Sequence, residues 1–507
     1  MNPQIFQRRS RRFAGLFGAL ALATGCPTAP SSPISAHGPP LEVAGTVVLA
    51  NAPAKRFDVI AVDSKGTKLS QLPYTATADV WRETRDDSRA LLLDTAHRTL
   101  TTTDGKTAQV FALPAEFGDV AGSEDGTAAV LWHPSSGAAP PSIINTDEVA
   151  LVALLAKPGK DNPVVATLSG LGRSPLRARA TATLQAADGA HRLLWVEAAG
   201  RLGLADLGPA GKVRTKIVPL AADPQSQIAP IRTEVRTTPT TVDLYLLAAA
   251  LNDVVHVHIE LAGAELVATV DQVAAGAMPV DLHLFDTKDG LRILTANYSG
   301  KSLALLDPAT GSGLEIPLNN RVSKFVPVTG ADGKARLLAW DDKAQTAYTY
   351  LVDVGDLTKK KGKALREVTF NASLHAAQAA AGFIVAELNG GQTSAALLAV
   401  DTGKITEFQG AGTLAGPTSG ALWLLGNSNF QARLSRVDLA TLHGDTLVLG
   451  DVTADALVRL GDSGVAVLGP GLAGYWVAAF PTGALKADTG QWLEGFGLTG
   501  LAEGGAP

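Results

Sequence analysis

The chain has 507 residues, 46% of them hydrophobic and 18% charged, which supports a large buried core and excludes wholesale disorder. A formal net charge of −5 at pH 7 gives no electrostatic footprint for nucleic acid, so none is expected as a partner. The one cysteine, Cys26, excludes an intramolecular disulfide.

Residues 1–25 read as an export signal. The opening MNPQIFQRRSRR is basic and the apolar stretch 13–23 (FAGLFGALALA) is 11 residues, too short to span a bilayer as a helix. Removing this segment, which holds Arg8, Arg9, Arg11 and Arg12 and no acid, brings the net charge to −9. That charge disfavours binding to anionic lipid through the protein's own surface. Ala23-Thr24-Gly25-Cys26 resembles the bacterial lipoprotein box, in which a small residue precedes a cysteine that is diacylated before cleavage. Gly25 fits that box, while Ala23 stands where the family usually has Leu. The resemblance implies palmitate-type lipidation at Cys26 and a membrane partner through that lipid; plain cleavage after 21–23 and secretion is the alternative. Arg11-Arg12-Phe13 leaves the choice between general and twin-arginine export open. Residues 26–40, with PTAPSSPISAHGPP after the cysteine, read as a Pro/Ser-rich tether. Pro27, with no Asp after the cysteine, favours the outer membrane over the inner.

From residue 41 the chain reads as strand and turn, rich in Gly (52) and poor in Met (2). Runs at 46–51 and 57–63 come first, then 89–94 and 107–113 split by Asp104-Gly105. The phrase DGAHRLLW at 188–195 recurs as DGTAAVLW at 125–132 and DGKARLLAW at 332–340. DGLRILTA begins at Asp289, SGALWLLG at Ser419 and SGVAVLG at Ser463. Equivalent strand ends at Asp206, Glu260, Asp307, Asp353, Asp401, Asp438 and Phe480 are 37 to 54 residues apart. That is the spacing of a four-stranded propeller blade. LALLDPATGSGLEIPL (303–318) and ALLAVDTGKITEF (396–408) resemble the paired outer strands of bacterial exported β-propellers. The expected fold is therefore all-β: a single propeller of seven or eight four-stranded blades over 41–486, with two smaller propellers as the structural alternative. A strand from 41–63 is expected to close the ring on the C-terminal blade, and 487–507 to fray. Trp132, Trp195, Trp340 and Trp423 are expected to wedge between blades as core, each on an inner strand.

Few residues look chemical. His256 and His258, two apart on a strand, point to one face and could form a metal pair with His283, but a metal site needs three or four ligands. The Asp-Gly pairs at 104, 125, 188, 289 and 332 are turns rather than calcium loops. The basic run at 359–363 (KKKGK) reads as a solvated loop. His191 has Ala128 and Ala335 in its place in the sister phrases, so no repeated role follows for it. No Gly-x-Ser-x-Gly elbow, Walker loop or His-Glu-x-x-His is present, and no catalytic residue or cofactor is expected. The favoured function is a membrane-anchored, non-enzymatic envelope scaffold with a protein partner. The alternative is a propeller enzyme, a lactonase-like hydrolase or a dehydrogenase, and a lectin-type module ranks last. Three or more carboxylates or imidazoles converging at the axial channel would overturn the scaffold reading.

Overall fold

A computed structural model describes residues 35–37 and 40–498, apart from 135–147, 155–164, 172–178, 358–364 and several shorter stretches. Among these residues there is no α-helix, and no helix long and apolar enough to cross a membrane. The strands form ten four-stranded antiparallel blades in chain order: 41–73, 80–112, 119–168, 179–219, 232–274, 279–317, 324–369, 373–408, 413–448 and 456–498. First strands of most successive blades lie side by side, on the inner side of the ring.

Each neighbouring pair of blades shares one apolar cluster, and there are ten such clusters. Blade 1 meets blade 2 through Val43, Phe57 and Leu92, and blade 5 meets blade 6 through Leu247 and Ile293. Blade 10 closes on blade 1 through Leu468 and Val477 against Val47 and Ile60. Because both faces of a blade are covered, its middle strands are largely buried and mostly apolar. Ala90–Asp94, Ala128–Trp132 and Val149–Ala153 are buried at every position. Outer strands such as Ser312–Pro317 face solvent and turn polar.

The ring is a single propeller, with ten blades in place of seven or eight. The strand-end markers fall one to a blade on blades 4 to 10, on the third strand. Blades 1 to 3 end their third strands at Asp63, Thr103 and Ala153, which match no common phrase. Wide rings need only neighbour-to-neighbour packing, which places no ceiling at eight. The tryptophans are core: Trp195 is 1% exposed, Trp423 0%, Trp340 5% and Trp132 9%. They stand on the second strand of their blades, not the innermost.

Closure also differs. Ser35–His37, inside the expected tether, is a strand that pairs in parallel with Gln491–Leu498 and touches Asn51 through His37. The closing strand therefore precedes 41–63. Gln491–Leu498 is the fourth strand of blade 10, so fraying does not begin at 487. Residues 499–507 and the signal 1–25, with Cys26, lie outside the described residues.

Candidate functional site

First and third strands of every blade run the same way, so the turns after both emerge on one face of the ring. Asp104-Gly105, Asp188-Gly189 and Asp332-Gly333 all stand on it. Asp125 and Asp289 lie outside the described residues. Some of the aspartates at third-strand ends fold back onto their own turn. Asp438 Oδ1 accepts from the amides of Ala440 (3.0 Å) and Thr441 (2.8 Å) and from the Thr441 hydroxyl (3.0 Å). The Thr441 amide bond, with the others, holds that carboxyl below its usual range. Asp307 likewise accepts the Ala309 amide at 3.0 Å, whereas Asp206 and Asp401 accept from the arginines Arg214 and Arg336 instead.

On the axis side of that turn face, three carboxylates gather where the ring closes. On the innermost strand Leu41–Val43 of blade 1, Leu41 and Val43 pack against blade 2. By alternation Glu42 turns the other way, to blade 10. There Arg459, last on the innermost strand Ala456–Arg459, donates through Nε to Glu42 Oε1 at 2.9 Å. Its other arm donates to Asp87 Oδ2 at 3.0 Å, from a turn of blade 2. Glu83 ends the innermost strand Val80–Glu83 and accepts the Glu42 amide at 2.7 Å. Backbone approaches backbone beside this cluster. Gly45 and Gly461 both have φ in the left-handed region, and a Cβ on Gly461 would lie 3.0 Å from the Gly45 Cα.

One cation among three carboxylates leaves the cluster short of positive charge. Burial, reinforced by the neighbouring charges of Asp87 and Glu42, pushes Glu83 up to about 7 against the pull of the Glu42 amide. Burial also raises Glu42 and Asp87, and Arg459 opposes the rise at both. A carboxyl with pKa near 7 can give or take a proton at neutral pH. No spacing in the sequence announces this group, because Glu42, Glu83 and Arg459 come from three blades at both ends of the chain.

The predicted histidines form two separate sites. His256 Nε2 lies 2.9 Å and His258 Nδ1 2.8 Å from the same Asp243 oxygen, and Tyr245 stacks on His256 with centroids 4.6 Å apart. The two imidazole centroids are 6.5 Å apart, so the carboxylate oxygen occupies the space between the rings. Burial, with the Asp243 charge adding, pushes Tyr245 up to about 12. His283 stands apart on blade 6, 3.9 Å from Glu234. Among the described residues no three His, Cys, Asp or Glu side chains form a metal-holding group.

His191, set aside on the sequence, is the hub of a buried network and is 2% exposed. Its Nδ1 lies 3.0 Å from both Asp206 oxygens and its Nε2 2.8 Å from Asp188 Oδ1. Arg214 Nε donates to Asp206 Oδ2 at 2.6 Å. The absence of this histidine from the sister phrases marks a local invention of blade 4. The run 359–363 lies outside the described residues.

No protein-family model matches the chain, and no curated protein does. Among solved structures it is similar to the dihydro-heme d1 dehydrogenase NirN, with 15% identity over 74% of this chain and 76% of that one, at a TM-score of 0.41. A eukaryotic initiation factor is similar at 10% identity over 90% and 95%, TM-score 0.44. AztD from Citrobacter koseri follows at 11% over 70% and 92%, TM-score 0.34. Likenesses this distant say nothing of what this chain binds.

Proposed function

We propose that this protein is a binding scaffold of the bacterial envelope, held to the membrane, the outer one in preference to the inner, by a lipid on Cys26. The lipoprotein-like box around the chain's one cysteine supports the anchor. The observation that carries the scaffold is how the turn face is tied together. Arg336 joins blades 7 and 8, Arg459 joins blades 10, 1 and 2, and the Gln185 amide donates to Pro239 O between blades 4 and 5 at 2.6 Å. Such a face is ordered before any partner arrives, which lowers the cost of binding.

A propeller enzyme is the second reading, and a specific observation favours it. Glu42, Glu83 and Asp87 meet in number the convergence set above as the mark of an active site. What keeps that reading second is Arg459, which engages two of the three, while one oxygen of Glu83 is held by the Glu42 amide.

Palmitate labelling of cells tests the anchor: wild-type protein takes up label and Cys26→Ala does not. In-cell cross-linking followed by mass spectrometry tests the scaffold, which requires a reproducible envelope partner linked to ring residues. Turnover of a lactone or alcohol panel that Glu83→Gln abolishes, with no partner cross-linked, would replace the scaffold by the enzyme.

A further inference from the structure

The side of blade 5 that meets blade 6 changes character along its length. Away from the turn face, Leu247, Val254 and Val273 are buried against blade 6. Toward the turn face the same three strands carry Asp243 and Tyr245, His256 and His258, Thr269 and Asp271. The register sets these six side by side on that one side of the sheet. On the side toward blade 4 the alternate residues, Leu244 and Val257 among them, are apolar and buried. Packing between blades therefore does not account for the polar stretch.

Its members are also open to solvent. The side chains of Asp243, His256 and His258 are 18%, 20% and 35% exposed, and Thr269 and Asp271 on the outer strand are exposed. Blade 6 brings Leu284 and Leu291 to the same boundary, both half-buried. Toward the axis the boundary is shut by Arg236, paired with Asp286 of blade 6 at 2.8 Å. The result is a groove that opens on the turn face, with one polar wall and one apolar wall.

The hydrogen bonds in the polar wall fix where the protons lie. A carboxylate oxygen only accepts, so the two nitrogens that face Asp243 Oδ1, Nε2 of His256 and Nδ1 of His258, carry hydrogen. The neutral His258 ring then keeps its lone pair on Nε2, the nitrogen that the carboxylate leaves free. Tyr245 stacks on His256, His256 shares the oxygen, and Asp243 orients His258. A carboxylate that fixes the tautomer of an accessible imidazole is the acid–base half of an acyl-transfer site. Among the described residues His258 hydrogen-bonds to Asp243 and to no hydroxyl or thiol, which leaves water as the nucleophile.

We propose that the groove between blades 5 and 6 hydrolyses small neutral acyl esters, with His258 as general base and Asp243 as its positioning residue. Nε2 of His258 takes a proton from water as the water oxygen bonds to the carbonyl carbon. The ester C–O bond breaks, and the leaving alkoxide takes that proton back from Nε2, which restores the starting state. Leu284 and Leu291 suit an apolar acyl chain, while the exposed Asp271 and Asp286 repel an anionic substrate. This activity is independent of the scaffold reading and of the cluster at the ring seam.

The test uses the full-length protein with p-nitrophenyl acetate and butyrate, and p-nitrophenyl phosphate as the anionic opposite. Both esters should release nitrophenol with saturation, the butyrate at the lower KM, and the phosphate should not react. His258→Gln should lower kcat/KM at least about a hundredfold at unchanged melting temperature. Asp243→Asn should lower kcat about tenfold with KM unchanged. His443→Gln, at an exposed histidine of blade 9, should change nothing. If His258→Gln does not fold, diethyl pyrocarbonate decides on the wild-type protein. Carbethoxylation of His258, read by mass spectrometry, should rise in step with the loss of turnover. Absence of saturable ester turnover, wild-type turnover by His258→Gln, or inactivation without label on His258 would each overturn the proposal. Failure of the scaffold reading shows in absent envelope cross-links and leaves these results untouched.

Discussion

Arg336 of blade 7 donates through Nη1 both to Asp401 of blade 8 at 2.7 Å and to Asp332 Oδ1 at 2.8 Å, while Nη2 donates to Asp332 Oδ2 at 2.7 Å. The arginine side chain is 9% exposed, its two carboxylate partners 37% and 32%, and the bond from Arg336 holds the Asp332 carboxyl well below its usual range. The Ala331 amide adds a second bond to Asp401 at 3.0 Å. An Asp-Gly turn that looked purely local is thus stapled to the next blade.

Arg336→Ala should therefore destabilise the ring by roughly 1–2 kcal/mol, the worth of hydrogen bonds to charged groups discounted for two partly solvated carboxylates. A double-mutant cycle with Asp401→Asn in urea unfolding should return a coupling of about 1 kcal/mol or more. Additive effects would mean that the staple is decorative.

Stability should fall as pH rises toward neutrality, through Glu83. Its carboxyl ordinarily titrates near 4.5 and in the fold is pushed up to about 7. A raised folded pKa favours the protonated fold. That contribution is complete below about 4.5 and is lost as pH climbs through about 7, roughly 3 kcal/mol in all. Glu83→Gln should flatten this part of the stability profile measured between pH 5 and 8. A slope unchanged by the substitution would place the burial of Glu83 in error.

The fold was legible because the repeat is written in turn chemistry. Asp-Gly pairs, an alternating strand and a tryptophan near its end recur in phase, and the structure puts each tryptophan between blades. Blade number was not legible, since of blades 1 to 3 only the third carries the tryptophan phrase, at 125–132, and third strands such as Thr99–Thr103 and Val149–Ala153 lack the strand-end marker of the later blades. The candidate site was invisible for a related reason. Glu42 and Arg459 are 417 residues apart, and only closure of the ring makes them neighbours. His191 misled in the opposite direction, because comparison with sister strands finds what repeats and discards what does not.

Trp195→Ala should cost about 3–5 kcal/mol, the range for a large aromatic removed from a rigid core. Trp195 packs with Leu244 and Leu246 of blade 5, so the loss should loosen the boundary between blades 4 and 5 first. Hydrogen exchange at Arg232–Thr237 should rise before exchange at Ala456–Arg459 on the far side of the ring. Uniform exchange would argue that the ring opens as one unit.

Zinc should not stabilise the protein through His256 and His258. An ion that bound there at a hundred times its dissociation constant would add about 2.7 kcal/mol. The Asp243 oxygen already lies between the two rings, within hydrogen-bonding distance of both, so a shared metal would have to displace those contacts. Thermal midpoints with and without zinc should agree for wild type and for His258→Ala alike. A zinc-dependent rise that His258→Ala removes would restore the histidine pair as a metal site.

Closure of the ring makes the last prediction. Ser35–His37 pairs with Phe496 to Leu498 on the outer edge of Gln491–Leu498, and His37 also pairs with Asn51 of blade 1. Without it, that strand presents unpaired backbone groups, the usual template for edge-to-edge association. A chain that starts at residue 35 should keep the full stability of one that starts at 26. One that starts at 41 should lose roughly 1–3 kcal/mol, at a net 0.5–1.5 for each hydrogen bond given up. It should also exchange the amides of Phe496 to Leu498 rapidly and self-associate as concentration rises. Apolar contacts between blades 10 and 1 remain in both forms, so the ring should stay closed and the difference should be confined to the outer edge. Equal exchange at Phe496 to Leu498 in the two truncated forms would show that the strand before blade 1 contributes nothing to closure.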